Sequence, residues 1–572
     1  MSKSEDPIIQ THAARSWRIW LVVFLLALIV AGITSKLLSL YGDDQAFLRS
    51  QGDARTLRTM LIPAHRGLIT DRNGEPLAVS APVATIWADP LRTDLQHGGL
   101  TRLAQLLDMK PHELKSVLTA NPERRFLYLK RQVTPELAEA VEALGVPGVH
   151  ADREYKRYYP VGEVATHLVG FTNVDGEGQE GLELAYNHSL RGEPGRKLVL
   201  KDRVGRTIKH IRSLQDANAG NDLQLSIDLR LQYMAYRELK AAVESHRADS
   251  GSAVVLDAKT GEVLALVNQP SYNPNDRSEL STDALRNRAL TDLFEPGSTI
   301  KPLTVAAAMM SGQYTRDSVI DTSPGYIRVG GASIKDHRNY GKLDLTGIIT
   351  KSSNVGVTKL ALEMPHDTVR NLLHNVGLGR DTGTGFPGER TGVLPFLAER
   401  QRVERSTMSY GYGLSSTLLQ LAQSYVPLAA DGMMRPVTLL KQTQAPAGTR
   451  VLPPGVGPQV LDMLETVISA QGTGRRAAVE GYRVGGKTGT VHKASGGGYA
   501  EDKYVSVFTG IAPLTNPRLV IAVMVDNPKG QEYYGGLVAA PVFSRIAAGS
   551  LRLLNVPPDK WPEPPSSQVA MQ

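Results

Sequence analysis

Ser298 and Lys301 stand three residues apart in "FEPGSTIKPLTVAAAMM", which begins at Phe294. A serine hydroxyl is a weak nucleophile until a base removes its proton. A lysine can be that base only when neutral, against an ordinary pKa of about 10.4. Burial and neighbouring positive charge both push it that way. The small and apolar run from Leu303 reads as a buried helix. Pro302 is tolerated only in a first turn, so the helix is predicted to start near Gly297–Ser298. Ser298 then lies where free N–H groups and the helix dipole favour a developing negative charge. Lys301 lies over the same face. A capping serine beside an unrelated lysine would look identical over four residues.

Two further groups lie downstream. Ser352-Ser353-Asn354 offers a second hydroxyl, able to pass a proton to a leaving amine, and an amide able to hold a carbonyl. A helix cap is the bland alternative. "GYRVGGKTGT", Gly481–Thr490, admits two chemistries. Its first eight residues match Gly-x-x-x-x-Gly-Lys-Thr, a phosphate-cradling loop. Leu519–Val525 followed by Asp526 imitates that loop's strand-plus-Asp partner. In the other reading Lys487–Thr490 is a strand beside the nucleophile. Lys487 and Thr488 bind a carboxylate, and Gly489 lets substrate approach the backbone. The N–H groups of Thr490 and Ser298 form an oxyanion hole. A phosphate loop must lead into a helix. "VHKASGGGYAEDKY", immediately after Thr490, is a poor helix, so the strand reading is preferred. Each group is a weak signal alone. The ordered set Ser-x-x-Lys, Ser-x-Asn, Lys-Thr-Gly is a strong one.

The elements that position these groups occupy the later part of the 572 residues, a length that implies two or three domains. From Asp222 the texture changes. "LQLSIDLRLQ" alternates like a strand and runs into an amphipathic helix near 231–243. Ala253–Leu256 and Val263–Val267 flank a turn sequence and read as a hairpin. The earlier part is rich in Arg and Gly, with strand-like Thr85-Ile86-Trp87 and Leu198-Val199-Leu200 and a helical patch at 135–144, and has no catalytic-looking cluster. Arg66, Asp71 and Arg72 read as structural pairing, with signalling from a partner as the rival reading. Ile19–Ser35 is uncharged and bounded by Arg18 and Lys36, enough to span a membrane core of about 30 Å with Trp17 and Trp20 at the interface. Arg15 and Arg18 favour a cytoplasmic N-terminus. The acidic-led tail and long apolar run favour an uncleaved anchor over the rival, a signal peptide cleaved near the small residues Val30-Ala31-Gly32. The residues after Lys36 would then face away from the cytoplasm, where ATP is scarce. The organisation expected is a tail over 1–18, an anchor over 19–35, a non-catalytic domain over 36–221, a catalytic domain over 222–555 and a Pro-rich disordered end over 556–572. The chain has no cysteine, which excludes disulfides and thiolate metal sites. Its scattered histidines form no metal-ligand spacing, so no metal or cofactor is expected. The net charge of +7 suits an anionic membrane or cell-wall setting. No basic block interleaved with aromatics argues for nucleic acid.

The three motifs resemble those of the penicilloyl serine transferases. "RGLITDRNGEPLA" from Arg66, "RYYP" from Arg157, "GQEGLE" from Gly178, "EPGSTIKP" and "SYGYGLSSTLLQLAQSY" extend the resemblance over nearly the whole chain. It points to the class B penicillin-binding proteins, and within them to the division-specific type of Gram-negative bacteria. The resemblance implies an α/β catalytic domain, a mostly antiparallel sheet flanked by helices with an all-helical lobe, on an elongated α+β pedestal with one transmembrane helix. It implies D,D-transpeptidation of peptidoglycan in the periplasm, from an inner-membrane anchor, during septal cell-wall synthesis. Ser298 would attack the penultimate D-Ala of a stem peptide with Lys301 as base. Ser352 and Asn354 would assist, and Lys487, Thr488 and Thr490 would hold the carboxylate and the oxyanion. A neighbouring stem peptide's amine, that of meso-diaminopimelate, would resolve the acyl-enzyme, and a β-lactam would acylate Ser298 and stay. Stem peptides on lipid-linked strands, a SEDS-family glycan polymerase and membrane proteins of the division machinery are the implied partners. Tyr410, Tyr533 and Tyr534 are candidate pocket walls. His492 departs from the non-titrating polar residue expected two places after Thr490, and would make substrate or drug contacts sensitive to acidity. That departure leaves an elongation-type enzyme or a paralogue open. The rivals are a D,D-carboxypeptidase, a β-lactamase, for which no Glu-x-x-Leu-Asn segment exists, and a β-lactam sensor.

Overall fold

The computed structural model describes residues 10–42, 45–120, 122–202, 207–495 and 498–560. Residues 1–9 of the expected cytoplasmic tail and 561–572 of the expected Pro-rich end lie outside the described residues. The chain forms two compact units that interleave in sequence. The first draws on Met1–Ala64, Val83–Glu154 and Glu193–Asn218, and the second on His65–Pro82, Tyr155–Gly192 and Ala219–Gln572.

In the first unit, helix α1 (Gln10–Tyr41) contains a 25-residue apolar stretch, Trp17–Tyr41, with an 18-residue window of mean hydropathy 2.5 and none of that window buried. That is long and apolar enough to cross a membrane. Strands Leu57–Ile62, Gly195–Lys201 and Thr207–Gln215 make a three-stranded antiparallel sheet with Gly195–Lys201 in the middle. Residues Ala84–Ala88 pair antiparallel with Leu127–Val133. Helices Leu100–Leu106, Pro111–Thr119 and Pro135–Ala143 surround a core of Ile86, Leu103, Leu107, Leu114, Val133 and Val141. Pro135 sits at the first helical position, where its missing N–H costs nothing. The Thr134 hydroxyl accepts from Leu137 N at 3.3 Å and caps that helix.

The second unit is built on one five-stranded sheet. Its strands are β1 (Ser250–Asp257), β2 (Val263–Gln269), β3 (Gly485–Ser495), β4 (Gly498–Ala512) and β5 (Leu519–Asp526). Their spatial order is β2-β1-β5-β4-β3, and every pairing is antiparallel. Successive side chains point to opposite faces of a strand, and both faces here are covered. Ala253, Val255, Ile521 and Val523 face helices α2 (Leu229–Ser245) and α7 (Gly535–Leu553). Val254, Leu256, Val520 and Ala522 face the other way, into a large core shared with α3 (Lys301–Met310), α4 (Leu345–Lys351), α5 (Asn354–Glu363) and α6 (Leu418–Ala429). This second face is the helical lobe. Asp228 caps α2 by accepting from Arg230 N at 3.0 Å.

The charged residues of "RGLITDR" are structural within this unit. Glu183 is fully buried and accepts from Arg66 Nε and Arg157 Nε, each at 2.7 Å. Asp71 accepts from Leu229 N at 3.0 Å, and Arg72 pairs with Glu262 at 3.2 Å. A buried carboxylate needs such partners, because an unpaired one would cost several kcal/mol.

Candidate active site

The nucleophile candidate sits on a single 3-10 turn, Gly297–Ile300, which leads into α3 at Lys301. The predicted start near Gly297–Ser298 is therefore a tighter turn before the α-helix proper, with Pro302 in the helix's first turn as expected. Gly297 has φ +56°, a left-handed conformation that glycine adopts freely. A Cβ there would lie 2.5 Å from Val491 Cγ2, so β3 presses directly on this turn. Tyr425 on α6 is fully buried, and its hydroxyl donates to Thr299 O at 2.6 Å. The turn is thus held from both sides.

Lys301 Nζ is buried and lies 2.6 Å from Ser352 O, 2.7 Å from Asn354 Oδ1 and 3.0 Å from Ser352 Oγ. Burial, and then the charge of Lys487, hold this amine well below the usual lysine range. Asp336 opposes that shift. A neutral amine has two N–H donors, which match the two carbonyl oxygens and leave its lone pair free to take a proton. Ser298 Oγ makes no hydrogen bond among the described residues, and Ser298 lines an open cavity. Catalytic hydrogen bonds are commonly formed only once substrate is bound.

Ser352 ends α4 in the left-handed conformation, at φ 57° and ψ 44°. For a non-glycine residue that costs roughly 1–2 kcal/mol. It aims both the carbonyl and the hydroxyl of Ser352 at Lys301. Ser353 is the helix cap anticipated as the bland reading, accepting from Gly356 N at 2.9 Å. Ser352 and Asn354 on either side are left for other contacts. Asn354 Nδ2 donates to Lys335 O at 2.9 Å, which orients the amide. Asp336 accepts from Asn354 N and Ser353 Oγ, both at 2.6 Å. No motif in the sequence marks Asp336.

Lys487 reaches the same hydroxyl from the sheet, with Nζ 3.0 Å from Ser352 Oγ. It is fully buried, and burial pushes it down to about 7. The Ser352 hydroxyl therefore stands between two buried amines. The phosphate-loop reading of Gly481–Thr490 is overturned. Gly485 and Gly486 open β3, an edge strand, and the next element is the strand β4 rather than a helix. Leu519–Asp526 is the strand β5, paired within the same sheet.

Along β3, Thr488 Oγ1 lies 2.8 Å from Thr473 Oγ1, and Thr490 Oγ1 accepts from Gly535 N at 2.9 Å. Gly489 has a packing reason to be glycine besides the expected substrate approach. A Cβ at Gly489 would meet Pro296 O and Thr299 Cγ2 at 3.1 Å, so the missing side chain admits the nucleophile turn. A cavity of about 750 Å3 is lined by Ser298, Ser352, Asn354, Thr488, Thr490 and His492. One wall is a ladder of rings. His492 lies 4.6 Å from Tyr504, Tyr504 stacks on Tyr533 at 4.2 Å, and Tyr533 stacks on Tyr534 at 4.5 Å. Of the tyrosines proposed from sequence, Tyr533 and Tyr534 line the cavity and Tyr410 does not. Tyr412 takes that position, with the Tyr410 ring 5.8 Å behind it. Asp336 and Tyr504 come from a loop and a strand with no spacing rule, and Tyr412, although inside the "SYGYG" segment, has nothing in sequence to set it above Tyr410. Among the described residues no cluster of His, Asp and Glu could hold a metal.

A serine on a helix-leading turn, a hydroxyl between two buried lysines and an edge strand closing the site define the class of serine acyl-transferases with a penicillin-binding fold. The transpeptidase domain of penicillin-binding proteins matches residues 251–548, and the penicillin-binding protein dimerisation domain matches 61–225. The chain belongs to this family of penicillin-binding transpeptidases. It is 44% identical over 98% of its length to the peptidoglycan D,D-transpeptidase FtsI of Escherichia coli K12, covering 96% of that protein. It is 43% identical over 96% of its length to the probable peptidoglycan D,D-transpeptidase PbpC of Pseudomonas aeruginosa, covering 98% of that protein. The apo transpeptidase domain of Burkholderia pseudomallei penicillin-binding protein 3 matches 59% of this chain and 98% of its own, with TM-score 0.54 and 46% identity. A peptidoglycan synthetase of Bifidobacterium adolescentis matches 89% of this chain and 98% of its own, with TM-score 0.71 and 27% identity.

Proposed function

We propose that this chain is a serine-type peptidoglycan D,D-transpeptidase of septal cell-wall synthesis, and a target of β-lactams. The observation that carries the reading is the Ser352 hydroxyl 3.0 Å from each of two buried amines, beside Ser298. Near-full-length similarity to proteins of that activity supports it.

The neutral Lys301 amine takes the proton of Ser298 as Oγ adds to the carbonyl carbon of the penultimate D-Ala. The oxyanion is held by the N–H groups of Ser298 and Thr490, the first on an uncapped turn and the second on an edge strand. The C–N bond then breaks. The proton on Lys301 passes through Ser352 Oγ to the leaving amine, and terminal D-Ala departs. Asn354 holds the donor's backbone, and the Lys487 ammonium with Thr488 holds the terminal carboxylate. In the second half an amine of another stem peptide adds to the ester carbonyl and gives up its proton along the reverse path. The C–O bond breaks, and Ser298 recovers its proton. A β-lactam undergoes the first half alone. Tyr412 and His492 border the space for the donor peptide.

We place the anchor at 19–35, the pedestal at 36–221 and the transpeptidase domain at 222–555, with a cytoplasmic tail over 1–18 and a free end over 556–572. The exposed apolar helix and the matched dimerisation region support this division. In it the catalytic domain lies in the periplasm, and the anchor and pedestal meet a SEDS-family glycan polymerase and other division proteins. The test is incubation with a stem pentapeptide and a second stem peptide as acceptor, read by mass spectrometry. Cross-linked dimer is expected. Tetrapeptide alone would mean a carboxypeptidase, and rapid loss of benzylpenicillin a β-lactamase.

A further inference from the structure

A second cavity, of about 880 Å3, opens in the same unit, within the usual size of ligand pockets. His492 belongs to both cavities. Its strand neighbours Val491 and Lys493 line only the second, whereas Thr488 and Thr490 line only the first. Glu295, three residues before Ser298, is also in the second cavity's wall. The segment that carries the nucleophile therefore borders both spaces.

The wall of the second cavity carries charges of both signs, and most are paired within the protein. Arg286 and Arg288 pair with Asp283 and Asp292, Lys493 pairs with Asp526 at 2.6 Å, and Asp249 pairs with Lys529 at 2.5 Å. Two charges are left over among the described residues. Arg390, at the rim, has no acidic partner. Glu295 has no basic one, and accepts only from Gly413 N at 2.8 Å and Tyr499 Oη at 2.9 Å. In addition, Asp526 Oδ1 is buried with no hydrogen-bond partner, the kind of orphaned acceptor that an occupant would satisfy.

An anion alone would meet Glu295 and Asp526, and a cation alone would meet Arg390. A zwitterion, with an ammonium and a carboxylate, offers a partner to each. We propose that this cavity binds the zwitterionic amino-acid end of a stem-peptide side chain, with Glu295 receiving the ammonium and Arg390 the carboxylate. The proposal rests on the transpeptidase reading. Such a group occurs on the donor, ahead of the bond to be cut, and on the acceptor that supplies the amine.

The test uses the full chain and two variants. Glu295→Gln removes the charge but keeps both hydrogen bonds, since Oε1 still accepts from Gly413 and the new amide donates to Tyr499. Arg390→Ala removes the exposed guanidinium. Benzylpenicillin, which carries no such zwitterion, should acylate wild type and both variants at rates within about twofold. In the donor arm, pentapeptides with diaminopimelate or norleucine at the third position are compared by acylation rate. In the acceptor arm, the norleucine donor is used and free diaminopimelate competes with water for the acyl-enzyme. Wild type should favour the zwitterion by about tenfold or more in one arm, the size of one or two charge-assisted hydrogen bonds, and both variants should lose most of that preference. The arm that responds identifies the donor or the acceptor. If Glu295→Gln loses benzylpenicillin acylation, that side chain is structural and Arg390→Ala alone decides. Preferences unchanged in both arms, with benzylpenicillin acylation intact, would overturn the proposal. A wild type that benzylpenicillin does not acylate would instead overturn the transpeptidase reading.

Discussion

At the scale of single residues, the proposed mechanism gives two buried lysines opposite duties. In it Lys301 acts neutral, and Lys487 acts charged. Acylation should therefore fall on the acid side as Lys301 takes a proton. It should fall on the alkaline side as Lys487 loses its own, with a midpoint near 7 in the free enzyme. The pH dependence of kcat/KM for acylation by a carboxylate-bearing β-lactam measures this. A rate that climbs steadily to pH 9 would contradict the role of Lys487. Stability carries the same signature. Between a folded value of about 7 and an unfolded value of about 10.4, the unfolded chain binds the Lys487 proton more readily than the folded one. Wild-type stability should therefore rise with pH across that window. Lys487→Met lacks this dependence. It should melt higher than wild type by a few degrees at pH 6, with the gap closing toward pH 10, as expected when catalytic groups are held against their stability. Thermal melts at several pH values check it, and equal melting points at pH 6 would count against so strong a burial effect.

At the scale of elements, the site depends on how closely β3 meets the turn before α3. Gly297→Ala introduces a Cβ 2.5 Å from Val491 Cγ2, at a φ of +56° that disfavours any side chain. Acylation by benzylpenicillin should drop by at least about tenfold while the chain stays folded, because a displacement near 1 Å at a nucleophile costs more than that. An unchanged rate would show that the turn tolerates movement. Buried pairing is a second lever. Glu183→Ala leaves two guanidiniums without their carboxylate and should cost about 3–5 kcal/mol, read by denaturant unfolding. The helix start, the hairpin and all three motif segments could be read from the sequence, because spacing, Pro302 and alternation report local geometry. The parts played by Asp336 and Tyr412 could not. Each residue is brought to the site by a loop whose path depends on long-range packing. Tyr410 and Tyr412 stand two residues apart, and only the backbone course after Ser409 decides which ring reaches the cavity. The close fit of Gly489 against Pro296 and Thr299 is likewise a long-range packing fact that no motif spells out.

At the scale of the whole molecule, the sequence order of the matched domains and the spatial grouping of residues differ. Segments 65–82 and 155–192 precede the transpeptidase region in sequence yet belong to its compact unit. Their motifs, "RGLITDR" and "RYYP", include the pairing residues Arg66, Arg72 and Arg157, which act within that unit. The helix Gln10–Tyr41 is separable in principle, since nothing in its apolar stretch is buried. A chain starting at Gln45 should be soluble without detergent and acylated by benzylpenicillin at an unchanged rate. The full chain should require detergent or lipid. Aggregation of the shortened chain with loss of acylation would assign the helix a part in folding. The central claim, that Ser298 is the acylated nucleophile, is tested most directly by intact-mass measurement after exposure to benzylpenicillin. Wild type should gain the mass of one drug molecule and hold it for minutes or longer, with the adduct mapping to the peptide that contains Ser298, and Ser298→Ala should gain none. An adduct on the Ser298→Ala variant, or a wild type that never retains the drug, would contradict that claim.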